Sequence, residues 1–214
     1  MRSLRGMLAV ATVCAGTWSA AAAAQQGAPS PPPAATPARA APRTPAPGNE
    51  ALARELVAML DVDQRLRRQD DGSQEAAQRM VDTDSVHVRR LKVIVAEHGW
   101  PGIGQVGTDA AFAAFIIVQH ADGPAQERYL PLFREASTRG DVPAKWLAML
   151  EDRVLWRRGE KQIYGTQVVF TDGHMALWAV EDEAHVDARR ARVGLEPLAE
   201  YLKGFGITYV PPAP

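Results

Sequence analysis

Apolar residues recur at helical spacing at Leu52, Leu56, Met59, Leu60 and Leu66, which predicts an amphipathic helix that Asn49 is placed to cap. Asp63 falls on the same stripe. Asp71, Gly72 and Ser73 break the pattern, and a second helix is expected over residues 74–97, its inward face marked by Ala77, Met80, Val81, Asp84, Val88, Leu91 and Val95. Gly99, Pro101, Gly102, Gly104 and Gly107 predict a tight connection. From Ala110 to Val118 the chain is apolar without a break, so this third helix, capped by Thr108 or Asp109, is expected to be central in a bundle. Pro124 to Gly140 and Pro143 to Gly159 bracket a fourth and a fifth helix. On the fifth, Trp146, Leu147 and Val154 share one side and Ala148, Met149, Leu155 and Trp156 the other, so two faces are packed. Asp152 lies within the second stripe and Arg153 on the border.

The period changes after Lys161. Residues 162–170 and 174–180 are rich in β-branched and aromatic side chains, and Thr171, Asp172 and Gly173 separate them, which predicts a β-hairpin. Asp182 is placed to cap a sixth helix ending at Gly194, and Pro197 to Lys203 forms a short seventh. The expected fold is mainly α, a bundle-like domain of six or seven helices with one β-hairpin near the C-terminus. The domain spans residues 50–209, with a loose tail at 210–214.

The first 49 residues do not fit this pattern. Arg2 and Arg5, an apolar run from Met7 to Trp18 and the alanines ending at Ala24 predict a signal peptide over residues 1–24, cleaved near Ala24. A lipid anchor on Cys14 is disfavoured because Val13 precedes it, where a small residue is wanted. Residues 25–49 carry eight of the sixteen prolines and predict a disordered, partly polyproline spacer that cannot bury a core. A periplasmic or secreted protein follows, without cysteine after cleavage. The remaining 165 residues hold 20 basic and 25 acidic side chains, and no basic cluster occurs, which excludes a nucleic-acid footprint. No apolar run of about 20 residues lies beyond the leader, so no integral span is expected once it is removed.

The informative side chains are polar ones on apolar surfaces. Gln119 and His120 end the buried third helix, where unpaired carbonyls favour a donor or cation, so a structural cap competes with a functional histidine. Asp63, Asp84 and Asp152 are the carboxylates in position to meet His120, and a buried carboxylate must be paired and hydrogen-bonded. Arg67, one turn beyond Asp63, and Arg153, beside Asp152, are the available partners; Asp63 and Arg67 are expected as a structural pair. Trp100, between Gly99 and Pro101, is either packed over the core or a stacking wall for a ligand. Tyr164, Thr166 and Gln167 are placed on the first strand, where Gly165 marks a bulge or close approach. Thr166 has no adjacent base to activate it as a nucleophile. No HExxH, paired cysteine or EF-hand loop occurs, so neither metal nor cofactor is expected; His98, His120 and a distant aspartate are the one arrangement left open. His174 and His185 read as surface residues.

Four segments, HGWPG at His98–Gly102, QHAD at Gln119–Asp122, DRV at Asp152–Val154 and YGTQ at Tyr164–Gln167, stand out as an ordered set. With Asp63, Gln64, Arg67, Val186, Asp187 and Arg190 they resemble a bacterial family of unknown function over roughly residues 50–203. The resemblance implies a helical domain and no particular chemistry.

Three functions compete on these residues. The leading expectation is a binding module whose pocket, lined by Trp100, Gln119, His120, Arg153, Tyr164, Thr166 and Gln167, holds a small polar or peptide ligand. The alternative is a hydrolase with His120 as general base, oriented by Asp84 or Asp152, and Arg153 or Gln167 stabilising developing charge. The third is a helical interaction domain in which these residues only lock the fold. Geometry separates them: a base needs one carboxylate at His120 and a free second ring nitrogen.

Overall fold

The computed structural model describes residues 44–210 and Pro212; the expected signal peptide and most of the spacer lie outside the described residues. The helices are α1 (Glu50–Arg68), α2 (Gln74–His98), α3 (Ile103–Val106), α4 (Thr108–His120), α5 (Gly123–Thr138), α6 (Ala144–Arg157), α7 (Val186–Arg192) and α8 (Leu198–Lys203). Strands β1 (Val168–Thr171) and β2 (His174–Leu177) lie between α6 and α7. The fold is mainly α with one hairpin near the C-terminus. No helix among the described residues is long and apolar enough to cross a membrane.

α4 sits at the centre because it has no polar face to give to water. Ala110, Ala111, Ala113, Ala114, Phe115, Ile117 and Val118 are all buried, Ile116 is half-buried and Phe112 is exposed. α1 packs most extensively along it, with α2, α3, α5 and α6 completing the surround. Leu56, Leu91, Ile94, Phe133 and Leu150 come from four of these helices to close the core. Phe115 stacks on Trp146 at 5.4 Å, and Trp100 packs on Phe133 at 4.4 Å. Burying one such aromatic contributes about 1.5–3 kcal/mol, so this cluster decides the arrangement of α4, α5 and α6.

Three helix starts differ from expectation in their caps, and at α7 the cap position belongs to His185, not Asp182, which precedes a single 3₁₀ turn over Glu183–His185. Gly107, not Thr108 or Asp109, occupies the cap position of α4. Asn49 takes the cap position of α1 but makes no side-chain cap bond. The glycine-rich connection folds into the extra helix α3, pinned by hydrogen bonds from Ile103 and Gly104 to Asp141. Gly102 is required there, since a Cβ would stand 2.7 Å from Asp141 Cβ.

The larger departure lies after α6. Strand pairing covers only Val168–Thr171 against Leu177–His174, turning through Asp172 and Gly173, both at positive φ, as a two-residue hairpin loop. Tyr164 to Gln167 are not strand. Asp152 takes the backbone N–H groups of Ile163, Tyr164 and Thr166 and the Thr166 hydroxyl, which removes these residues from any ladder. The hairpin, α7 and α8 then close a small second core of Val180, Val186, Leu198 and Leu202.

Gly165 sits at φ +72°, and a Cβ there would stand 2.9 Å from Cδ1 of the fully buried Leu198. Gly165→Ala is expected to cost about 2 kcal/mol or more in urea unfolding, combining left-handed strain with overpacking. Gly159→Ala, at φ +73° in open space, is expected to lose only the backbone part, about 1–2 kcal/mol. Equal losses at the two positions would contradict this account of the loop.

Candidate functional site

The burial of α4 carries its last two residues, Gln119 and His120, into the interior, where their neighbours come from α1, α2 and α6. Carbonyls at this helix end find donors elsewhere: Gln126, fully buried on α5, donates to Gln119 O and Ala121 O at 3.0 Å. Arg157 also reaches Ala121 O. His120 is therefore not needed as a cap. Its Nδ1 bonds instead to Asp63 Oδ1 at 2.9 Å, with the two side chains 9% and 1% exposed.

Asp63 is the hub of this cluster. Gln64 donates to its second oxygen at 2.8 Å, and Arg67 Nη1, one turn along α1, lies 2.8 Å from Oδ1. The expected Asp63–Arg67 pair is thus present. Arg67 Nη2 reaches both oxygens of Asp84 on α2, at 3.1 and 2.9 Å, so one guanidinium ties α1 to α2 through two carboxylates. Burial acts to raise the Asp63 carboxyl, but the His120 bond and charge, Arg67 and Gln64 outweigh it and hold it below the ordinary value. At Asp84 burial wins over Arg67, and the carboxyl is pushed up.

His120 thus meets Asp63, not Asp84 or Asp152. Asp84 stands in the same cluster but is spent on Arg67. Asp152 is fully buried and occupied by the loop at residues 163–166; burial pushes its carboxyl up against the donors of Thr166, Tyr164 and Ile163. Its role is to hold the second core against α6.

The remaining candidates divide. Arg153 joins the end of α4, its Nε donating to Gln119 Oε1 at 3.2 Å. Trp100 is buried against Tyr129 and Phe133, so its ring belongs to the main core and not to a ligand wall. Gln167 is turned toward Thr166 Oγ1, and Thr166 toward Asp152, so neither side chain is presented to His120 as a free donor. Tyr164 contributes backbone groups, its N–H to Asp152 and its carbonyl to Arg190. The seven residues expected to line one pocket do not assemble as one wall. A surface cleft of about 520 Å³, lined by Ala53, Val57, Val106 and Ala110 among others, lies at the opposite end of α4 from His120.

One residue of the cluster escaped the sequence reading. His87, one turn beyond Asp84 on α2, is buried within the field of Asp63, Asp84 and Arg67. The signal was there: Ala76, His87, Leu91 and Ile94 form the buried face of α2, while Ala77 and Val81, placed inward by the apolar count, are exposed.

Asp63, Asp84 and His120 offer three metal-ligand atoms within 4.8 Å of one another. Arg67 already stands between the two carboxylates with the positive charge an ion would bring, so a metal would have to compete with a guanidinium held by both. His98 is exposed near Glu97 and outside this group.

Burial pulls the His87 imidazole below its ordinary 6.5, against the opposing pull of Asp63 and Asp84. A depressed folded-state value means that the unfolded chain binds more protons, so this stability is complete above pH 6.5 and is lost as pH falls through the folded value. Unfolding free energies from urea melts taken downward from pH 7.5 are expected to fall by up to about 1.4 kcal/mol per pH unit from this group. In His87→Gln that portion of the slope disappears; an unchanged slope would contradict a buried neutral His87.

No curated protein and no solved structure matches this chain. A family described only as of unknown function, DUF6624, matches residues 50–210, from the first residue of α1 to the end of the second core. The chain belongs to that family.

Proposed function

We propose that this protein is an exported hydrolase in which His120, oriented by Asp63, acts as general base on a water molecule. The observation that carries the reading is the 2.9 Å bond from His120 Nδ1 to a buried carboxylate, with no partner for Nε2 among the described residues. Nε2 is also absent from the atoms sealed away from solvent without a partner. A carboxylate on Nδ1 fixes the tautomer whose Nε2 carries the lone pair, and stabilises the imidazolium that forms when Nε2 takes a proton.

The step balances on these groups. The water oxygen bonds to the electrophilic carbon or phosphorus as its proton passes to His120 Nε2. The bond to the leaving group then breaks, and the imidazolium returns the proton to the departing oxygen. Arg153 is the cation available to the charge that develops, because Gln167 is engaged with Thr166. Arg67 keeps Asp63 ionised and in place. Export rests on the leader read at residues 1–24, and the proline-rich spacer would hold the domain away from its neighbours in the periplasm or outside the cell.

A second reading is a binding module for a small polar ligand, favoured by donors at the same helix end that lack acceptors. The two part in one experiment. Turnover of a panel of activated carboxylic and phosphate esters is expected for the full chain, falling by about 10²–10⁴-fold in His120→Asn and in Asp63→Asn. Unfolding midpoints taken in parallel separate lost chemistry from lost fold. Turnover that survives in both variants would overturn the base, and its absence across the panel in the wild type would favour binding alone.

A further inference from the structure

Arg153 leaves α6 with a charge that no side chain of the described residues neutralises. Its Nε bonds to the neutral Gln119 Oε1, and its guanidinium carbon stands 5.4 Å from the centre of the Trp156 ring. Among the charged groups acting on it, the cation Arg157 is the strongest, ahead of the opposing Tyr201 and of a second cation, Arg67. Together with burial, which is the larger effect, the two cations bring its guanidinium down to about 10. Two other interior arginines meet more partners, Arg67 two aspartates and Arg190 the carbonyls of Tyr164 and Glu196, although Arg67 Nη1 and Arg190 Nη2 are each buried without a hydrogen bond.

Gln119 repeats the deficit independently. It is 5% exposed, and its Oε1 must face Arg153 to accept, which turns Nε2 away; that nitrogen is buried and has no acceptor. Two neighbouring side chains are thus both short of acceptors, and one carries an unbalanced positive charge. Water could fill the hydrogen bonds but not the charge. Arg157, over the same Trp156 ring at 5.4 Å, adds a second cation at this end of α4. The complement is a compact group that is rich in acceptors and negatively charged, such as a phosphate or carboxylate.

We propose that Arg153, positioned by Gln119 Oε1, forms the seat of an oxyanion on the substrate, a phosphate or carboxylate group held beside His120. The inference deepens the hydrolase reading and rests on it for the word substrate; the anion seat itself does not depend on turnover.

The test is a titration of the full chain with inorganic phosphate and, separately, with acetate, against sodium chloride at equal ionic strength. Arginine Nε–H NMR signals are the readout. At least one of the two anions is expected to shift the Arg153 signal saturably in the millimolar range, while that of the exposed Arg134 stays in place. Arg153→Gln is expected to weaken binding at least tenfold, and Arg139→Gln, at an exposed arginine away from this helix end, to leave it within about twofold. Which anion saturates assigns the headgroup. No saturable shift at Arg153 with either anion overturns the proposal, as does full affinity in a folded Arg153→Gln. The wild-type titration stands even if that variant does not fold. Anion binding without turnover would leave the seat and remove the base, whereas turnover of neutral esters without anion binding would do the reverse.

Discussion

Everything in this fold follows from a helix that has no face to show to water. α4 is apolar around almost its whole circumference, so the main bundle is arranged as its container. Such a helix has only its ends in which to carry polarity, and here the C-terminal end carries Gln119 and His120. Enclosing the helix therefore encloses them too. Burying a histidine and an amide at a helix end is costly unless each finds a partner. The partners arrive from outside α4: Asp63 for the imidazole, Arg153 for the amide oxygen and Gln126 for the helix carbonyls. Function and architecture meet because a packing requirement delivers polar groups to a place where water is scarce.

A second constraint of the same kind organises the C-terminal third. Asp152 is fully buried on α6, and its carboxylate gathers backbone donors from the segment that follows. That segment cannot then pair as strand, which confines the hairpin to four residues a side. Gln162 braces the base of the hairpin, accepting from Gln167 N and donating to Gln167 O and Trp178 O. Arg190, buried over Tyr201 at 4.9 Å, closes the other side by reaching the carbonyls of Tyr164 and Glu196. The small second core is thus held to the bundle mainly by polar bonds directed at backbone.

What was legible in the sequence was whatever depends on neighbours in the chain. The unbroken run from Ala110 to Val118 named the central helix, and the four-residue spacing of Asp63 and Arg67 named their ion pair. Asp172 and Gly173 marked the hairpin turn and do take positive φ, whereas Thr171, expected in the turn with them, is the last residue of β1. Long-range choices were not legible. Three aspartates could have met His120, and the selection of Asp63, 57 positions away, is made by the packing of α1 on α4. On α2 the expected inward face took in Ala77 and Val81, which are exposed, and left out Ala76 and Ile94, which are buried, so it was rotated away from His87. Tyr164 to Gln167 have strand-like composition, and a single distant carboxylate overrides it.

The central claim is that the interior of this bundle presents a histidine with a chosen tautomer. Asp63 ties α1 to α4 through Nδ1, Arg67 ties that carboxylate to α2, and the second ring nitrogen is left to whatever enters. The direct measurement is the ¹⁵N spectrum of the His120 side chain in its neutral form. The account predicts a proton on Nδ1 and a lone pair on Nε2, with that preference lost in Asp63→Asn. A proton on Nε2, or a tautomer mixture indifferent to Asp63, would contradict it.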